Sequence, residues 1–133
     1  MIIKDVTSSE FEKEESEKLT VYYNPDCSKC KKLQVLLPSQ DLDIKWVNYL
    51  EHPLTEVELI ALLEKMGSQP SAVIRLTEEE RAGLSEEELF QRLVEEPAIL
   101  NRPIIEREKT AFLCRPLDII KEKMPEYDWS DYV

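Results

Sequence analysis

The residues best suited to chemistry lie in the stretch Val21-Tyr22-Tyr23-Asn24-Pro25-Asp26-Cys27-Ser28-Lys29-Cys30-Lys31-Lys32. A short apolar strand breaks there at Asn24-Pro25 and delivers Cys27 to the start of a helix. Unpaired backbone N–H groups and the positive end of the helix dipole favour thiolate over thiol, which makes a sulfur at that point a nucleophile near neutral pH. Cys27 is therefore the candidate nucleophile, with Asn24 placed to hydrogen-bond its thiolate. Cys30 follows at Cys-x-x-Cys spacing, which allows the two sulfurs to bond or exchange without unfolding the helix. It is a candidate resolving thiol.

A thiolate attacking an anion needs cations. Arginine suits that task because its planar fork stays charged and grips an oxyanion through paired hydrogen bonds. Three arginines occupy element boundaries: Arg75 after a short apolar run, Arg102 directly before Pro103, and Arg115 between Cys114 and Pro116. Spacing alone reads them as exposed arginines pairing weakly with the many acids. The third cysteine, Cys114, reads as a small buried hydrophobe. His52 reads as a solvated loop residue, and the runs Glu78-Glu79-Glu80 and Glu86-Glu87-Glu88 read as helix N-termini rather than metal sites. With one Cys-x-x-Cys and no second ligand pair near His52 or Cys114, no metal is expected.

The chain's 133 residues are enough for one domain with its own core. The net charge of −11 is uneven: residues 1–18 carry three Lys against six acids and residues 76–96 two Arg against eight, whereas residues 26–32 carry three Lys against Asp26 alone. Such a chain is not expected to track nucleic acid, which needs clustered Lys and Arg. No apolar run approaches the roughly 18 residues of a spanning helix, and the first residues turn polar at once, so no membrane partner is expected and a reducing cytoplasm is the expected compartment. The odd cysteine count fits redox or catalytic use.

The elements that must position these residues follow from periodicity. Residues 1–18 read as a mobile or loosely docked extension, residues 19–124 as the domain, and residues 125–133 as an acidic tail with Tyr127, Trp129 and Tyr132. Leu19 to Tyr23 is the first strand. A helix runs from Cys27 to Pro38, with Cys30, Leu33, Leu36 and Leu37 inward, and Ile44 to Tyr49 is a second strand, parallel to the first. Thr55 and Glu58 form a capping box for a helix whose Leu59, Ile60, Leu62, Leu63 and Met66 face the core before Gly67 ends it. Ser71 to Leu76 reads as a short helical piece. Thr77 with Glu80 and Ser85 with Glu88 repeat the capping box, the second opening a helix with Leu89, Phe90, Leu93 and Val94 inward. Arg102 to Glu106 and Thr110 to Cys114 read as a hairpin, and Pro116 opens a last helix. The order is β-α-β-α, a helical insertion, then β-β-α, a mixed sheet of the α/β class with thioredoxin-like order.

From about Thr20 to Lys121 the sequence resembles the glutaredoxin-dependent arsenate reductase family, within the group that also holds the Spx-type transcription regulators. The resemblance rests on Tyr-Tyr-Asn-Pro-Asp-Cys at 22–27, Tyr49-Leu50-Glu51 with Pro53 and Thr55, Ala72-Val73-Ile74-Arg75, Asn101-Arg102-Pro103-Ile104 and Leu113-Cys114-Arg115-Pro116. It implies a thioredoxin fold, a covalent intermediate between Cys27 and the arsenic of arsenate, and an oxyanion held by Arg75, Arg102 and Arg115. It further implies a cis-proline at Pro103 lining the site, no bound cofactor, and glutathione as co-substrate with glutaredoxin as partner. Tyr23 stands where glutathione-coupled members carry a histidine, so activation must lean on the dipole, Asn24 and the arginines. Cys30 resembles a feature of the Spx-type regulators and opens an internal-disulfide route. Two other functions stay open: a redox switch of the Spx type binding RNA polymerase, and a general thiol-disulfide oxidoreductase using Cys27 and Cys30. The Leu-Cys-Arg-Pro segment favours the reductase.

Overall fold

Residues 19–23 alternate apolar and mixed side chains, as a strand between two packed layers must. The computed structural model describes residues 16–129 and extends this strand back to Glu17, so β1 is Glu17–Tyr23. It therefore begins inside the segment expected as an extension, of which residues 1–15 lie outside the described residues. β2, Leu42–Asn48, lies parallel to β1, pairing Leu19 with Ile44 and Val21 with Trp46. The crossover between them is α1, Ser28–Leu36, and Pro38 turns its end into a 3-10 turn, Leu37–Ser39, where Ser39 Oγ donates to the Leu36 carbonyl at 2.6 Å.

Beyond β2, α2 spans Glu56–Met66 between a complete Thr55–Glu58 capping box and Gly67, whose φ of 63° is the left-handed conformation that glycine adopts without penalty. Ile60 departs from the expected apolar stripe and is 47% exposed, because the face turned to the core carries Leu59, Leu62 and Leu63, with Met66 packed at its edge. The expected helical piece over Ser71 to Leu76 is a 3-10 turn at Pro70–Val73, after which Ile74 pairs antiparallel with Leu100 as an isolated bridge. α3, Glu78–Arg81, and α4, Glu86–Glu95, each carry the expected capping box. The hairpin is shorter than the periodicity suggests: β3 is Ile104–Glu106 and β4 is Ala111–Leu113. α5, Ile120–Lys123, follows a 3-10 turn at Leu117–Ile119.

The four strands stand in the order β2-β1-β3-β4, with β3 antiparallel to both β1 and β4. Strand alternation sends neighbours into opposite layers. Ile105 joins Leu19, Val21, Leu33, Leu36, Ile120 and Met124 in one core, while Ile104 joins Tyr49, Leu59, Leu62, Leu89 and Leu93 in the other. Burying each such leucine or isoleucine contributes about 1.5–3 kcal/mol, and Leu89 and Leu93 tie the helical insertion to the second core as Leu33 and Leu36 tie α1 to the first. The tail docks as far as it is described: Trp129 is buried and its Nε1 donates to the Met124 carbonyl at 2.8 Å, and Tyr127 Oη donates to Glu17 at 2.8 Å. This is a thioredoxin-like mixed α/β arrangement.

Candidate active site

Asn24-Pro25-Asp26 cannot continue β1, because Pro25 lacks an N–H for the ladder. Asn24 instead folds the chain into a turn: its Oδ1 accepts from the Asp26 N–H at 2.8 Å, and its carbonyl accepts from the Cys27 N–H at 3.0 Å. Cys27 then occupies the cap position of α1 with extended backbone, φ −94° and ψ 123°, and its carbonyl accepts the first helical bond from Lys31. Its sulfur sits where a Ser or Asp oxygen would normally cap the helix. Burial pushes its pKa up. The backbone N–H and thiol of Cys30, the backbone N–H of Lys29 and the Arg102 guanidinium outweigh burial and bring it down to about 7. The residue as a whole is 8% exposed.

Cys30, one turn on, is the opposite case. It is 1% exposed, and burial together with the neighbouring Cys27 pushes its thiol up to about 12 despite an N–H from Asn24 that donates to its sulfur at 3.5 Å. The bond expected from Asn24 to the Cys27 sulfur goes to Cys30 instead, from the Asn24 backbone N–H, while the Asn24 side chain accepts from the Asp26 N–H.

Two of the three arginines converge on Cys27. Arg115 Nη1 lies 3.8 Å from the Cys27 sulfur and donates to the Arg102 carbonyl at 3.1 Å. Arg102 Nη1 donates to the carbonyls of Ala98 at 3.1 Å and Leu100 at 3.4 Å, while its Nε is buried and has no hydrogen-bond partner among the described residues. Both arginines precede prolines in cis peptide bonds, Arg102-Pro103 and Arg115-Pro116. Pro103 is buried one residue beyond the Tyr22–Ile104 pair, and its carbonyl accepts from the Cys114 N–H at 2.8 Å, so β3 and β4 deliver both arginines side by side.

Arg75 stands apart. Its backbone N–H donates to the Ile99 carbonyl at 2.7 Å, beside the segment leading to Arg102, but its exposed side chain has no hydrogen bond or ion pair among the described residues. Tyr23 packs edge-on against Trp46 of β2. Cys114 is fully buried, with its thiol toward the Leu117 carbonyl and its pKa pushed up to about 12 by burial, which suits packing rather than chemistry. His52 is exposed in its loop. Among the described residues no group of His, Cys, Asp and Glu is arranged to hold a metal, and no helix is long and apolar enough to cross a membrane. Sequence reasoning missed the carbonyls of Ala98 and Leu100 as anchors for Arg102. It also treated Tyr49 as a strand and motif residue without a partner for its hydroxyl, which a tyrosine buried among leucines needs.

Residues 22–123 match the family model described as the ArsC family, a span that holds Cys27 and all three arginines. The chain belongs to the ArsC family. It is 30% identical over 115 residues to the arsenate reductase of Escherichia coli (strain K12), covering 81% of this chain and 82% of that protein. It is 31% identical, over the same shares, to the arsenate reductase of Yersinia enterocolitica. The solved structure of an arsenate reductase from Vibrio cholerae superposes with a TM-score of 0.72 at 29% identity, covering 80% of this chain and 98% of that one.

Proposed function

We propose that this ArsC-family chain reduces arsenate to arsenite, with Cys27 as nucleophile and Arg102 and Arg115 as the oxyanion clamp. The observation that carries the reading is the buried, unpartnered Nε of Arg102 in a guanidinium that also acts on the Cys27 sulfur. An unsatisfied buried donor costs about 1–3 kcal/mol, and an incoming oxyanion removes that cost while neutralising the charge a thiolate would otherwise meet. A general disulfide exchanger has no use for such a donor.

The Cys27 thiolate attacks arsenic, an oxygen leaves as water after taking up protons, and a sulfur–arsenic bond forms. The arginines and the start of α1 hold the charge throughout. A second thiol then completes the reduction. Over the whole reaction two thiols become a disulfide, arsenic gains two electrons, the arsenate dianion takes up two protons beyond those of the thiols, and water and neutral arsenous acid are released. Glutathione with glutaredoxin is the donor we assign to this step. Arg75 supplies a third cation from the rim, since its side chain has no pairing to give up.

A second route for the same step is favoured by one observation: Asn24 bonds through its carbonyl to the Cys27 N–H and through its N–H to the Cys30 sulfur, which ties both cysteines to one turn. In that route Cys30 attacks the Cys27 sulfur, the sulfur–arsenic pair of electrons returns to arsenic, and external thiols later reduce the Cys27–Cys30 disulfide.

The test is arsenate-dependent NADPH oxidation with glutathione, glutathione reductase and glutaredoxin. Wild type is expected to turn over and Cys27→Ser to be inactive. Cys30→Ser retains turnover if glutathione supplies the second thiol, and stalls at the arsenic adduct, visible by intact mass, if Cys30 does. A wild type inactive with every thiol donor would sink the reductase reading.

A further inference from the structure

We propose that Tyr49 is a positioning residue for the oxyanion clamp: its hydroxyl, bonded to the same carbonyl as Arg102, sets how the free edge of that guanidinium meets the anion. The inference rests on the arsenate-reductase reading above.

Tyr49 follows directly on β2 and is 1% exposed, its ring packed with Leu59, Leu93 and Leu100 in the second core. Phenylalanine would fill that space equally well, so packing alone does not call for a hydroxyl, and burying an unpaired one is unfavourable. The hydroxyl donates to the Leu100 carbonyl at 2.9 Å. That carbonyl also accepts from Arg102 Nη1 at 3.4 Å, and the same nitrogen donates to the Ala98 carbonyl at 3.1 Å. Anchoring Nη1 leaves the Nε and Nη2 edge of the guanidinium, the edge that forms paired bonds to an oxyanion. Nε is the atom found buried without a partner. Burial raises the Tyr49 pKa, which keeps the hydroxyl a donor, and the Arg102 and Asn24 side chains both lie within its electrostatic reach. Tyr49 thereby joins the core that holds the helical insertion to the arginine beside Cys27.

The experiment is protection of Cys27 from iodoacetamide by arsenate, without added thiols, at a pH well above the Cys27 titration, with thermal unfolding followed in parallel. Tyr49→Phe is expected to raise the half-protecting arsenate concentration roughly five- to tenfold, the worth of one lost hydrogen bond at the clamp. Leu93→Val, which loosens the same packing but spares the hydroxyl, is expected to protect like wild type. In an Arg102→Ala background, Tyr49→Phe is expected to add no further loss, because residues acting through one another are non-additive. Unchanged protection in Tyr49→Phe, an equal loss in Leu93→Val, or a full further loss in the Arg102→Ala background would each overturn the inference. A wild type that arsenate does not protect would remove the arsenate reading itself, and with it this role for Tyr49.

Discussion

Arg102 and Arg107 flank the same three-residue strand, β3, and live in opposite circumstances. Arg107, just past its end, donates to Glu17, to Glu126 and to the Lys123 carbonyl, and the two carboxylates, Glu17 first, raise its pKa. It fastens the start of β1 and the chain beyond α5 to the hairpin, and its partners are all supplied by the protein. Arg102, just before β3, spends one nitrogen on two carbonyls and keeps a buried nitrogen unpaired among the described residues, beside a lowered-pKa cysteine. A cation whose partners are all present stabilises the fold. One that is held in place with a donor unspent is stabilised only when something else arrives.

The largest expected effect separates the two. Arg102→Ala is expected to lower arsenate turnover on the order of 100-fold or more, as loss of a donor to developing charge does, with little change in melting temperature. Arg107→Ala should do the reverse, leaving turnover near wild type while costing about 1–3 kcal/mol of stability, a melting shift of several degrees. Kinetics and thermal unfolding on both variants check this, and parallel losses in both would erase the distinction. Arg115→Ala falls between them, because Arg115 touches the Cys27 sulfur and also holds the Arg102 carbonyl.

Next in size is the pH response. Because the Cys27 pKa is lowered to about 7, its alkylation rate should climb with pH through that value and level off above it. Removing Arg102 takes away one of the groups that lower it, so the midpoint should move up in Arg102→Ala and stay put in Arg107→Ala. Stopped-flow alkylation against pH reads this directly. The smallest effect is expected from Arg75→Ala, a change of a few fold in the arsenate KM with kcat nearly kept, as for an exposed cation that steers rather than clamps. A loss matching that of Arg102→Ala would show that Arg75 closes onto the anion and belongs with Arg102 in the comparison.

Local signals were legible where they act within a few residues. The capping boxes at Thr55, Thr77 and Ser85 and the stop at Gly67 all form as read. Errors arose where packing chose among local options. Ile60 follows the helical stripe yet points out, and Ile74 left the expected helical piece to bridge Leu100. The three arginines share a position type, but only the two that flank the β3–β4 hairpin come to the sulfur, since β3 pairs with β1 while Arg75 sits on a segment that pairs with the chain around Leu100, outside the sheet.

By itself the sequence determined the strand-to-helix turn that places Cys27 at a helix start, because Pro25 and the Asn24 turn act on adjacent peptides. It also determined the order of elements, and so the fold class. Only the tertiary structure decided which cations meet that sulfur. Cys27 and Arg115 lie 88 positions apart, and their contact exists because β3 lies against β1. It likewise decided that Cys30, chemically identical to Cys27 in the sequence, is a buried protonated thiol while Cys27 is poised to ionise, since burial and neighbouring charge are properties of the packed chain.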